Sequence, residues 1–249
     1  MKNIILALIF WLPLNLMAQE KETRNLDNFT EVSSSASIKV ILVKGNSPKV
    51  DVQTDGDLED VLTEVSGDKL KISRAPQEGF FNISSNNDRI EVTVYYQEIE
   101  GLRVSSSSSM VVEGLLNTNS LTLDVSSSGK LKVNANAKTA YVEVSSSGKV
   151  DAIINADDLT AKVSSSGDLY LEGSSNDFKG KISSSGDINA EDFTCSNANI
   201  SASSSGKIQL GVKNELVARA SSSGKINYSG SPKVVDVNTS SGGKVNSGR

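Results

Sequence analysis

Three serines followed by a glycine recur along the second half of this chain, and a serine hydroxyl is the first group to test for chemistry. The triplets begin at Ser126, Ser145, Ser164, Ser183, Ser203 and Ser221, and a degenerate copy follows at Ser240-Ser241-Gly242-Gly243. A serine nucleophile needs a base. The sequence has no histidine, which leaves only lysine as that partner. The serines are therefore not read as a hydrolase signature. Carboxylates are the second group. Asp168 and Asp187 each follow a repeat glycine, while Asp157, Asp158 and Glu172 fall elsewhere in their units. Glycan-cleaving sites need clustered carboxylates, often with calcium, and a basic partner. Arg219 is the one arginine in the repeats before the C-terminus, and Tyr141 and Tyr170 are the outward aromatics. A single cysteine, Cys195, cannot build a zinc site or an internal disulfide. The glycines do not follow the nonapeptide calcium pattern. No metal and no cofactor is expected, and Cys195 reads as a small buried apolar residue.

The elements that carry these residues are set by the repeat. Successive triplets are 19, 19, 19, 20, 18 and 19 residues apart. Apolar residues alternate with polar ones before each triplet, as in Ala140-Val142-Val144 and Leu159-Ala161-Val163. This is the period of a half-buried strand. After each glycine the alternation resumes. Leu131, Val150, Leu169, Ile188, Ile208, Ile226 and Val245 form one apolar column, and Val133, Ala152, Leu171, Ala190, Leu210 and Tyr228 a second. A unit this short cannot bury its apolar face alone, but stacking buries it against its neighbours. The expected fold is all-β, a single-stranded parallel β-helix of about 19 residues per coil.

In that fold V-S-S-S-G is a strand end plus a corner. Continued alternation predicts that the middle serine points inward and bonds its counterpart one coil away, through Ser127, Ser146, Ser165, Ser184, Ser204 and Ser222. The glycine is expected to supply a positive φ or a close approach. The flanking serines then form two outward rows spaced about 4.8 Å along the axis and about 7 Å across it. Ser126, Ser128, Ser145, Ser147, Ser164, Ser166, Ser183 and Ser185 are the candidate ligand-binding residues, suited to a polysaccharide or, less well, ice. The next position reads Lys130, Lys149, Asp168, Asp187, Lys207, Lys225, Lys244. It is expected to be a solvated charge ladder, each pair of which contributes little.

The N-terminal part is less regular. Lys2, the apolar run Ile4–Leu16 with Pro13, and Leu16-Met17-Ala18 before Gln19 read as a secretory signal peptide over residues 1–18. The run is too short to span a bilayer, so no transmembrane segment is expected in the mature chain. Export leads to the periplasm, the outer-membrane surface or the extracellular space. Losing Lys2 shifts the net charge from -5 to -6, and no basic block points to nucleic acid. Residues 19–104 are expected to form a β-rich cap that includes a first coil phrase, Val32 to Ile38, and 105–249 the coil repeats. Strands are expected at Ile38–Val43, Lys49–Gln53, Leu70–Ile72 and Arg89–Tyr96. The spacing of Leu58, Val61, Leu62 and Val65 predicts a short helix capped by Asp55 or Asp57.

Phe29-x-x-Val32-Ser33-Ser34, the strand pair after it, the Asp57-Leu58-x-Asp60-x-Leu62-x-Glu64-Val65 segment and the serial S-S-S-G-K/D-I/V phrases resemble the secreted head GIN domain proteins. These are described as autotransporter adhesins and are common in Bacteroidetes. Gly186-Asp187-Ile188-Asn189 and Gly224-Lys225-Ile226-Asn227 match their repeats, and the similarity covers nearly the whole mature chain. The resemblance implies a parallel β-helix and cell-surface adhesion. The expected function is a non-enzymatic, adhesin-like protein that binds a glycan or cell-surface ligand through the β-helix face. A structural role in the cell envelope, or a carbohydrate-active enzyme on the same fold, are the alternatives.

Overall fold

The computed structural model describes residues 20–76 and 88–248. The expected leader lies outside the described residues. Among the described residues nine strands build the N-terminal part: β1 (Glu20–Asn25), β2 (Glu31–Ser34), β3 (Lys39–Lys44), β4 (Lys49–Thr54), β5 (Val61–Ser66), β6 (Lys69–Arg74), β7 (Ile90–Tyr96), β8 (Gly101–Val104) and β9 (Ser109–Val125). The first coil, β2 and β3, is sandwiched between two later ones. β2 pairs in parallel with β6 on one side and β8 on the other. β3 does the same with β7 and β9. The chain therefore lays down the first coil, adds a coil beneath it from β6 and β7, and then crosses to continue above it. Antiparallel strands finish the lower end: β4 on β7, β1 on β4, and β5 on β6.

The predicted helix at 58–65 is not formed. Leu58–Asp60 makes a single 3-10 turn, Asp57 gives it no side-chain cap, and Val61–Ser66 is extended. Two causes override the helical spacing. Val61 and Val65 are β-branched, which favours a strand, and the segment pairs with β6 from Val61↔Arg74 to Ser66↔Lys69. In addition, the Arg24 guanidinium donates to the Leu58 carbonyl at 2.9 Å and to the Val61 carbonyl at 2.5 Å, occupying acceptors a helix would use.

From β9 onward each coil is one long bent strand: β10 (Lys130–Val144), β11 (Lys149–Val163), β12 (Asp168–Ile182), β13 (Asp187–Ala202) and β14 (Lys207–Ala220). The last coil and a half is β15 (Lys225–Ser229), β16 (Val234–Thr239) and β17 (Lys244–Ser247). All pair in parallel, one coil to the next. The protein is a β-solenoid of about eight turns with about 19 residues per turn.

The columns read from the sequence are the columns of the core. Leu131 pairs with Val150, Val150 with Leu169, Leu169 with Ile188, Ile188 with Ile208 and Ile208 with Ile226, and all six are buried. One apolar core runs from Phe29 to Ile226. Each fully buried Val, Leu or Ile contributes roughly 1.5–3 kcal/mol. Slipping the register by one residue would turn a whole column outward, which fixes the stacking.

Side-chain ladders do occur, at a corner other than the serines. Asn136 donates to the Asn117 side-chain oxygen at 3.1 Å, Asn155 to Asn136 at 3.2 Å, and Ser174 to Asn155 at 3.1 Å. A parallel set joins Asn197 to Asp177 at 3.0 Å. Stacked amides have both a donor and an acceptor, so each rung can satisfy the next.

Candidate functional site

The serine corner is built by the main chain. At one copy Val144 is buried, Ser145 is half-buried, and Ser146 and Ser147 are exposed. The Gly148 N–H closes the turn on the Ser145 carbonyl at 2.8 Å. Ser146 and Ser147 have φ of 48° and 61°, both left-handed, as a two-residue type I′ turn requires. The same pair recurs as Ser127-Ser128, Ser165-Ser166, Ser184-Ser185, Ser204-Ser205 and Ser222-Ser223.

This corrects the expectation in two ways. The middle serine points out, because two left-handed residues in succession break the in–out alternation that placed it inside. The intercoil ladder at the corner is then made by peptides, not hydroxyls. Ser128 N–H donates to the Ser146 carbonyl at 3.1 Å, Ser147 to Ser165 at 3.1 Å, Ser166 to Ser184 at 3.1 Å and Ser185 to Ser204 at 3.0 Å. The left-handed turn is what aims these groups along the axis. The glycine's part is close approach: a Cβ on Gly148 would lie 2.6 Å from the Val125 carbonyl oxygen. The positive φ falls on serine.

All eight candidate serines lie on this ridge. Ser126, Ser145, Ser164 and Ser183 open the turns and are half-buried, whereas Ser128, Ser147, Ser166 and Ser185 stand exposed. Among the described residues no hydrogen bond joins a hydroxyl of one triplet to a hydroxyl of the next, so the exposed hydroxyls face solvent.

Beside the ridge runs the charge row, in the register expected, from Lys130↔Lys149 to Asp168↔Asp187 and Asp187↔Lys207. Burial pushes the Asp187 carboxyl up, Lys207 opposes this, and Asp168 adds to it. One Asp187 oxygen is buried without a hydrogen-bond partner. A carboxyl held above its usual range favours the protonated folded form. Its penalty is absent in acid and develops as pH rises through the raised pKa. Asp187→Asn is therefore expected to stabilise the protein at neutral pH, with the gain shrinking to nothing in acid. Urea unfolding of both proteins across that range checks it, and a gain independent of pH would rule out the carboxylate as cause.

Cys195 is buried in the core, with its thiol pushed up to about 12 by burial, which leaves it unreactive. Among the described residues no group of three His, Cys, Asp or Glu side chains is placed to hold a metal ion. Nor is any helix there long and apolar enough to cross a membrane.

A second surface was only partly visible in the sequence. The third residue after each corner glycine points outward, giving the column Lys132, Asp151, Tyr170, Asn189, Gln209, Asn227. A few residues on, the coils bend and the register shifts, at Lys132/Asn134 against β9 and at Tyr170/Gly173 against β13. Gly173 takes φ of 108° there, with the Ile154 carbonyl oxygen 2.3 Å from where a Cβ would stand. A hollow of about 560 Å³ lies beside Tyr170, bordered by Val111, Val112, Gly114 and Leu115 of β9 at the β9–β10 register shift, where Gly114 takes φ of 78°. Tyr170 was legible as an outward aromatic. The hollow was not, because Gly114 and the β9–β10 register shift lie outside the repeated phrase.

A sequence profile described as "Putative auto-transporter adhesin, head GIN domain" matches residues 28–232. The chain belongs to this family. Solved structures similar to this head GIN domain include a "putative lipid binding protein" of Parabacteroides distasonis ATCC 8503, at 22% identity and a TM-score of 0.80, covering 93% of this chain and 97% of that one. A "putative adhesin" of the same organism aligns at 17% identity and 0.81, with 93% and 97% covered. Another from Parabacteroides merdae ATCC 43184 aligns at 16% identity and 0.80, with 93% and 96% covered. At these identities the likeness is one of fold. No curated protein matches the chain. The family description is adhesin-like and not enzymatic.

Proposed function

We propose that this head GIN domain protein is exported by its N-terminal leader and acts at the cell surface as a non-enzymatic, adhesin-like binder of a glycan or other cell-surface ligand. The serine ridge is the contact surface. The observation that carries this reading is the conformation of those serines. A left-handed residue other than Gly, Asn or Asp costs about 1–2 kcal/mol, yet two serines adopt it at corner after corner. Asn-Gly would make the same turn with less strain. Serine at these positions adds a regular row of solvent-facing hydroxyls, and strained backbone that persists is a pointer to function. The adhesin description of the family agrees with it.

Glycine substitution at the ridge separates fold from binding. In a Ser147→Gly/Ser166→Gly/Ser185→Gly variant, relief of left-handed strain offsets the added freedom of the unfolded chain, which costs about 0.4–1 kcal/mol per site. Stability should be unchanged or raised, while three exposed hydroxyls are lost. Parent and variant are compared on immobilised glycans and matrix proteins. Binding by the parent that the variant loses supports the ridge. Binding kept by both moves recognition off the ridge. No binding by either leaves the serines as corner geometry and favours an envelope scaffold.

A further inference from the structure

The hollow beside Tyr170 has a lining unlike the rest of the solenoid. Leu115, Ile153 and Tyr170 border it and are 46%, 40% and 43% exposed, a cluster of apolar groups whose exposed counterparts among the described residues lie only on the last coil, at Val234, Val235 and Val237. Asp151, Glu172 and Lys132 share its border. The Lys149 ammonium sits 4.6 Å from the centre of the Tyr170 ring, a cation–π contact on one of its faces. At about 560 Å³ the hollow is within the range of small-ligand sites, which run from about 300 to 1,000 Å³.

The surface does not end there. In the Tyr170 column the next coils present Asn189, Gln209 and Asn227. A second hollow of about 270 Å³ follows, bordered by Gln209, Asn227 and the half-buried Tyr228. Tyr228 follows Asn227 along the same strand, in the column of Leu210, while an aromatic ring and three carboxamides lie in line along the axis. The step between them is one coil, about 4.8 Å, comparable to the length of one hexose residue in an extended chain.

We infer that this track, from the Tyr170 hollow to Tyr228, is an oligosaccharide-binding groove, one coil to about one sugar. The chemistry selects this occupant over two others. A hexose offers an apolar ring face to Leu115, Ile153 and Tyr170 and hydroxyls to Asp151, Glu172 and the amides. An acyl chain would satisfy the first set and strip water from the second, leaving carboxylates desolvated and unpaired. An added peptide strand needs a free sheet edge, and the coils carrying the track pair with each other through the main chain. The groove lies apart from the serine ridge and does not depend on its function.

Calorimetric titration of the protein with cellohexaose, chitohexaose and maltohexaose tests this. At least one hexasaccharide is expected to bind. Tyr170→Ala should weaken it about tenfold or more, equivalent to ~1.4 kcal/mol, while Tyr170→Phe, which keeps the ring, should stay within a few-fold. Tyr170 is exposed, so circular dichroism of both variants should match the parent. Hexasaccharide binding lost in Ser147→Gly/Ser166→Gly/Ser185→Gly but kept in Tyr170→Ala would place the sugar on the ridge and overturn the groove, which keeps failure of the groove distinct from failure of the ridge. Equal affinity of parent and Tyr170→Ala would overturn the assignment. So would no heat with any of the three sugars, or dodecanoate bound in their place and lost in Tyr170→Ala.

Discussion

Replacing Gly148 with alanine is expected to lower the unfolding free energy by about 2–3 kcal/mol, in the range of overpacking a close-packed interior. The cause is local. The new Cβ would sit 2.6 Å from the Val125 carbonyl oxygen, 2.9 Å from its carbon and 3.0 Å from the Ser145 oxygen. These are main-chain atoms, and they cannot rotate aside. The Val125 carbonyl accepts the Ser145 N–H at 2.9 Å, and the Ser145 carbonyl accepts the Gly148 N–H at 2.8 Å. Making room for the methyl means stretching the turn's closing bond and the bond to the coil below it together. Gly67 supplies the control. It has φ of 63° and nothing within 4 Å of where a methyl would stand, so Gly67→Ala carries only the conformational cost of about 1 kcal/mol. Urea titration of both variants reads the difference. If Gly148→Ala costs no more than Gly67→Ala, close approach is not the reason for the corner glycine.

Phe178→Ala should cost more, about 3–5 kcal/mol, as for large aromatic truncations in well-packed cores. Phe178 is among the largest fully buried side chains and packs on Phe193 with ring centres 5.4 Å apart and planes tilted by 56°. Its neighbours in the column are Leu159 below and Ala198 above. The same coil makes space for it with Gly180, where a Cβ would stand 2.8 Å from the Phe178 ring. Adjacent coils fill the two slots as Leu159-Ala161 and Ala198-Ile200, so volume is shared between them differently in each layer. Collapse around a missing ring would have to move main chain already paired on both sides, which leaves most of the cavity open. Because each coil touches only its neighbours, hydrogen exchange should show protection lost first in β11, β12 and β13. A uniform loss along the whole solenoid would argue against that local origin.

The coils were legible because their signal is repeated and their physics is simple. A residue such as Leu169 is buried for the same reason as Val150 and Ile188, and the spacing alone aligns them. The corner was legible in place and not in geometry. Alternation carries through Ser146 only if the chain stays extended, which it does not. Of the two roles expected for the glycine, positive φ or close approach, Gly148 takes the second, and the left-handed cost falls on Ser146 and Ser147. Near Leu58, helical spacing competed with strand pairing to β6, and nothing local in the sequence reveals that Arg24 would claim the carbonyls. The candidate site divides in the same way. The exposed serines and Tyr170 follow from counting. The hollow lies where the β9–β10 register shifts beside Gly114, outside the phrase.

The sandwiching of β2 and β3 between coils made later has a kinetic consequence. From β10 onward each new coil can dock on a finished one, so the solenoid can grow in the order in which the chain emerges. The first coil has no such template. Its two faces are completed by β6 and β7 and by β8 and β9, so it waits for roughly the first half of the chain. Closing those long loops is the slow, entropically costly step. The first half of the chain is thus expected to form as an all-or-none nucleus, and the coils from β10 onward as a processive extension of it. Deleting one 19-residue unit such as 149–167 shortens the rod, whereas a deletion of similar size between β3 and β8 removes the seed from which the rod grows.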